Sequence, residues 1–184
     1  MTFYYTKSII TKNVREMKKV KTTTQKIVIS ALLAALTCVS TMIIRLPSPL
    51  GGYINLGDAV VLTSAFLLPS GYMFLSAGLG SALADLFAGY LIYAPATFII
   101  KGIMTIIAFG MFNVLSKKTK PLFAKTVGAT LAEIWMIGGY LIFESFLYGF
   151  APSLVNVPAN AVQGVAGIVI GLILTNILKK SRIF

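Results

Sequence analysis

Six apolar runs, separated by short breaks rich in Pro, Gly or Lys, set the plan of this chain. They cover 27–44, 57–68, 72–88, 96–115, 127–148 and 157–178. An apolar helix of about 20 residues crosses a hydrocarbon core of ~30 Å. The pattern therefore predicts an all-α integral membrane protein. The second run is short and could join the third across Pro69-Ser70-Gly71 into one broken helix. Charge decides between the two counts. Lys7, Lys12, Arg15, Lys18, Lys19, Lys21 and Lys26 precede the first run, while Lys117, Lys118, Lys120 and Lys125 lie between the fourth and fifth. Lys179, Lys180 and Arg182 follow the last. Basic loops stay cytoplasmic, so an even number of spans must separate each pair of basic groups. Splitting at Pro69-Ser70-Gly71 satisfies this and merging does not. The expectation is six transmembrane helices with both termini cytoplasmic.

One domain follows. It comprises a basic cytoplasmic segment over 1–26, a membrane domain over 27–178 and a basic tail over 179–184. The basic start resembles a signal peptide, but its apolar stretch exceeds an h-region of ~7–15 residues and no A-x-A site follows, so it reads as a retained first span. At 57% hydrophobic and 11% charged, the 184 residues leave no room for a further folded domain. The net charge of +11 flanks the apolar runs and forms no basic stripe with aromatics, so topology, not nucleic-acid binding, accounts for it. One cysteine, Cys38, excludes an intrachain disulfide, and the absence of histidine excludes His-based triads and the usual zinc sites. No G-x-x-x-x-G-K-[ST] loop is present, so the chain is not expected to hydrolyse ATP itself. No nucleophile–base pair stands at a recognisable spacing, and the halves show no duplication. No catalytic residue, metal or cofactor is expected.

Polar groups within the runs carry the functional signal, because ionisable side chains in a membrane are costly and mark ligand, ion or proton sites. Asp58 opens the second run beneath a loop containing Tyr53 and Asn55. Asp85 closes the third run, Lys101 lies near the start of the fourth, and Glu144 lies near the end of the fifth. Asn156, Asn160 and Gln163 open the sixth, with Asn160 and Gln163 on one helix face. All fall in the expected outer half and outline a pocket open to the outside. Tyr90 and Tyr93 occupy an outer loop, where they serve as interfacial anchors or stack on a ring-shaped ligand. The competing reading is structural: Asp85–Lys101 and Arg45–Asp58 would be ion pairs joining helices. Glu133, nearer the inner half, is open between proton relay, partner contact and packing. Ala31 and Ala35 stand one turn apart on the first helix, either as an internal packing ridge or as a face for a partner subunit. Similar ridges at Gly80, Ala84 and Ala88, and at Gly167 and Gly171, are expected to pack internally.

Taken together, the six short spans, the basic N-terminal segment and the alanine pair resemble the substrate-capture subunit (S component) of energy-coupling factor (ECF) vitamin transporters. The resemblance runs from about Lys26 to the C-terminus. It implies that Ala31, Ala34 and Ala35 dock on a shared transmembrane coupling subunit, which works with two ATP-binding subunits. It also implies that the first outer loop, with its Tyr-Ile-Asn-Leu-Gly-Asp segment, caps the substrate. The subunit would be non-catalytic, multi-pass and located in the cell membrane of a bacterium. Substrate-binding residues would be Tyr53, Asn55, Asp58, Asp85, Tyr90, Tyr93, Lys101, Glu144, Asn156, Asn160 and Gln163. Acids, amides and tyrosines suit a small polar heteroaromatic ring. The likeness is to members handling hydroxymethylpyrimidine or pyridoxine, with riboflavin as another possibility. The alternatives are a self-sufficient proton-coupled secondary transporter using Asp85, Glu133 or Glu144, and an intramembrane enzyme or scaffold.

Overall fold

The computed structural model describes residues 23–48 and 53–181. Most of the expected basic segment (1–22), the tip of the first loop (49–52) and the end of the tail (182–184) lie outside the described residues. Helix α1 spans Thr23–Ile43 and is followed by a two-stranded antiparallel hairpin, β1 (Arg45–Pro47) and β2 (Tyr53–Asn55). Arg45 pairs with Asn55 and Pro47 with Tyr53. Then come α2 (Gly57–Leu67), α3 (Ser70–Phe87), α4 (Ala94–Leu115) and α5 (Pro121–Tyr148). A short α6 (Phe150–Ser153) and one 3₁₀ turn lead into α7 (Val157–Lys180).

Helix α2 organises the bundle. At 11 residues it is only about 16 Å long at the usual rise, too short to cross a bilayer. Every residue from Gly57 to Phe66 is buried, so it is a central rod enclosed by α1, α3, α4 and α7. A helix apolar all round needs such a setting. It ends at Leu68, whose backbone turns extended before Pro69, and α3 begins one residue later. The break between the second and third runs therefore falls where Pro69 removes a backbone donor.

By length and composition, α1, α4, α5 and the α6–α7 segment can each cross a membrane. Their outward faces carry Leu32, Ile43, Ile99, Ile134 and Phe146, all exposed, as lipid contact requires. The inward faces converge on α2. Val61, Leu62, Ala65 and Phe66 meet Ala77 of α3, Ile100, Met104 and Ala108 of α4, and Ala129, Ala132 and Met136 of α5. A second cluster joins Ile29 and Leu33 of α1 to Val60, Leu68 and Met73. Three buried hydroxyls bond back to their own helices: Thr37 to the Leu33 carbonyl at 2.8 Å, Thr63 to Ala59 at 2.7 Å and Thr105 to Gly102 at 2.7 Å.

Helix bounds differ from the runs in one informative way. Helix α5 begins at Pro121, not near Val127, because proline suits the first helical turn and the helix continues through its lysine-bearing end. Small residues set how closely helices approach. Gly80 of α3 lies against α1: a Cβ there would sit 2.4 Å from the Ala34 carbonyl oxygen. Gly110 of α4 would meet nothing within 4 Å. Gly80→Ala should therefore destabilise the protein by about 1–3 kcal/mol through forced separation of α1 and α3. Gly110→Ala should be neutral or stabilising by up to about 1 kcal/mol, since alanine favours the helix. Thermal midpoints in detergent, followed by circular dichroism, check the contrast.

Candidate functional site

The hairpin, the start of α2 and the start of α7 meet at one end of the bundle, and their polar groups form a continuous network. The Asn55 side-chain oxygen accepts from the Gly57 amide at 2.9 Å, an Asx turn that leads the hairpin into α2. The Asn55 amide donates to Gln163 Oε1 at 2.8 Å, and Gln163 Nε2 donates to Asp58 Oδ2 at 2.6 Å. The other Asp58 oxygen forms a salt bridge with Lys101 Nζ. Asp58 is 0% exposed and Lys101 3%, so both charges are withdrawn from bulk solvent. The Lys101 ammonium also lies 5.3 Å from the centre of the Tyr140 ring.

Above this layer, Tyr53 on β2 donates to Asp85 Oδ1 at 2.7 Å, tying the hairpin to the end of α3. The Tyr53 and Tyr90 rings lie 5.0 Å apart, and Tyr90 meets Tyr93 edge-on at 6.1 Å. Thr97 and Tyr140 share a hydrogen bond of 3.0 Å, and Asn156 Nδ2 donates to Glu144 Oε1 at 3.0 Å. These groups surround a cavity of about 30 Å³. Tyr53 and Asn55, both on β2, hold the hairpin against this cavity through Asp85 and Gln163. Moving the hairpin away would break the Tyr53–Asp85 and Asn55–Gln163 bonds.

Eight of the expected residues line this cavity: Tyr53, Asn55, Asp85, Tyr90, Tyr93, Glu144, Asn160 and Gln163. Three do not. Asp58 and Lys101 form the buried layer beneath, and Asn156 stands behind Glu144. The expected pairs Asp85–Lys101 and Arg45–Asp58 give way to Lys101–Asp58 and Tyr53–Asp85, with Arg45 exposed on the hairpin. The reason is depth. Helix α4 starts at Ala94, which sinks Lys101 about two turns to the level of α2 and away from the end of α3. Ser48, Thr97 and Tyr140 also line the cavity and were not anticipated. Helical spacing could have found two of them, since Thr97 is four residues before Lys101 and Tyr140 four before Glu144.

Glu133 lies on the same layer. A Cβ at Gly167 would sit 2.9 Å from both Asp58 Cβ and Glu133 Oε1, so this glycine lets α2, α5 and α7 converge. Both Glu133 oxygens are buried without a hydrogen-bond partner among the described residues. On α1, Ala31 and Ala35 are exposed, whereas Ala34 is partly covered and its carbonyl abuts Gly80.

A family model described as "ECF-type riboflavin transporter, S component" matches residues 21–180. The chain belongs to that family. It is a transporter S component and a multi-pass membrane protein. It is similar to a Pyrococcus woesei protein named "Uncharacterized protein in gap 3'region", 38% identical over 143 residues, covering 77% of this chain and 93% of that protein. It is also similar to "Thiamine precursor transporter HmpT" of Lactococcus lactis subsp. cremoris (strain MG1363), 26% identical over 161 residues, covering 86% of this chain and 90% of that one.

Two outcomes follow from the site of this S component. Lys101→Met leaves the Asp58 carboxylate buried without its counter-ion and should cost on the order of 3–5 kcal/mol. Adding Asp58→Asn removes the stranded charge while keeping an acceptor for Gln163, and should restore most of the loss in thermal midpoint. Separately, burial, with the Asp85 carboxylate beside it, pushes the Tyr53 phenol above its ordinary value. A raised phenol keeps its proton, and its contribution to closure is full below the unfolded value of about 10 and lost only at higher pH. Protection of the hairpin amides from hydrogen exchange, corrected for intrinsic rates, should show no alkaline loss up to about pH 9.

Proposed function

We propose that this chain is the substrate-capture subunit of an ECF-type, ATP-driven uptake system. Its six apolar runs lie in the cell membrane, with the short α2 enclosed by the others, both termini cytoplasmic and the hairpin end facing outward. The hairpin acts as a lid, the cavity beneath receives a small heteroaromatic vitamin or precursor, and a shared coupling subunit with two ATPases drives release inside. Hydroxymethylpyrimidine or pyridoxine is the favoured class.

The observation carrying the substrate choice is the cavity's lining. It combines two carboxylates, Asp85 and Glu144, with the amides of Asn55, Asn160 and Gln163 and the rings of Tyr53, Tyr90, Tyr93 and Tyr140, and no lysine or arginine among the described residues borders it. The nearest ammonium, on Lys101, is already paired with Asp58. Such a wall rejects anionic ligands and accepts a neutral or cationic ring. Tyrosine faces stack on it while carboxylates accept from an exocyclic amine or hydroxyl. The small cavity favours a single ring over a fused three-ring system. The relative named for a thiamine precursor agrees with this choice. The exposed Ala31 and Ala35, flanked by exposed Leu32 and Leu36, support a docking face on α1.

Mass spectrometry of small molecules released from the purified protein should identify an aminopyrimidine or pyridine alcohol. Asn160→Ala should weaken its binding by about fivefold to tenfold, the value of one lost hydrogen bond. Retained riboflavin, with no binding of the single-ring compounds, would reverse the substrate assignment. Ala35→Trp should abolish ATP-driven uptake in liposomes holding the full transporter while leaving ligand affinity unchanged. Uptake by the isolated chain driven only by a pH gradient would instead establish the secondary transporter.

A further inference from the structure

At the end opposite the hairpin, the last turn of α4, the first turns of α5 and the last turns of α7 converge around an unbalanced cluster of lysines. Lys125, on the second turn of α5, is only 6% exposed, and its ammonium donates to Asn176 Oδ1 on α7 at 3.1 Å. That acceptor is neutral. Lys179, one turn along α7 from Asn176, lies 6.0 Å from the centre of the Phe112 ring on α4. Lys117, Lys118 and Lys120 in the following loop are exposed nearby in the chain, as is Lys180.

No carboxylate answers them among the described residues. Asp58, Asp85 and Glu144 belong to the hairpin end, and Glu133, eight residues along α5 from Lys125, is about 12 Å further up the helix. Salt bridges among the described residues reduce to Lys101–Asp58. A covered ammonium with a single neutral acceptor has donors to spare, and buried cations are ordinarily matched by an anion. The first turn of α5, opened by Pro121, adds the positive end of a helix dipole beside Lys125.

We infer that Lys125 and Lys179 form a binding site for one anionic phosphate group, supplied by the headgroup of an acidic phospholipid. The flanks favour a lipid. Phe112 lies under Lys179, and exposed Ile177 and Ile173, about one turn apart on α7, offer an acyl chain an apolar path leading from the charge toward the middle of the bundle. A phosphodiester there would bridge α5 and α7 at the end where the hairpin network does not reach.

Native mass spectrometry of the full chain, in micelles holding equal phosphatidylglycerol and phosphatidylcholine, tests the site. Wild type should retain phosphatidylglycerol in preference by on the order of thirtyfold, from about 1 kcal/mol for each of the two lysines. The Lys125→Gln/Lys179→Gln pair should bring the ratio close to one. Lys117→Gln/Lys118→Gln, which removes the same net charge from the loop, should leave the preference intact, and Lys125→Arg should preserve it, separating charge from folding. A second arm adds inorganic phosphate: failure to displace the lipid assigns the site to the headgroup, and displacement at millimolar levels overturns that source in favour of free phosphate. Equal retention of both lipids by wild type, or a preference that survives the Lys125/Lys179 change, overturns the site itself.

Discussion

The buried Asp58–Lys101 pair is the constraint around which the hairpin end is arranged. Taking two charges out of water is expensive, and their attraction compensates only if the remaining hydrogen-bonding positions are filled. Here Gln163 fills the second Asp58 oxygen and the Tyr140 ring covers the ammonium. These requirements fix α2, α4, α5 and α7 relative to one another. Through Gln163 the same network holds Asn55, and with it the hairpin. The ion pair is thus a foundation for the cavity, although neither of its members borders it.

That foundation also explains why the cavity can be acidic and amide-rich. With Lys101 committed below, the wall above presents carboxylate oxygens of Asp85 and Glu144. Glu133 shares the lower layer without a hydrogen-bond partner among the described residues. It stands where Gly167 lets three helices meet, so helix packing and buried chemistry converge on one short stretch of α7.

Much of this was legible in the sequence. The apolar runs located the helices because lipid demands continuous hydrophobic length, and Pro69 marked a real break. Polar residues at similar depth identified eight cavity residues, because intramembrane polarity is rarely accidental. What the pattern could not supply was partner choice. Lys101 was within sequence reach of several acids, and only the start of α4 at Ala94 lowered it onto Asp58. The hairpin was hidden for a related reason: three-residue strands carry almost no periodicity. Tyr140 and Thr97 were passed over as ordinary helix residues, since an isolated hydroxyl in an apolar run carries little signal by itself.

The chain has one tryptophan, Trp135, and its indole nitrogen donates to the Ile100 carbonyl at 3.2 Å, one residue before Lys101. Its emission therefore originates beside the charged layer and at the α4–α5 seam. Any rearrangement that tilts one of these helices against the other alters the polarity around that single fluorophore. The protein thus carries an intrinsic optical gauge on the outer side of the α4–α5 seam, readable in native lipid without any attached dye.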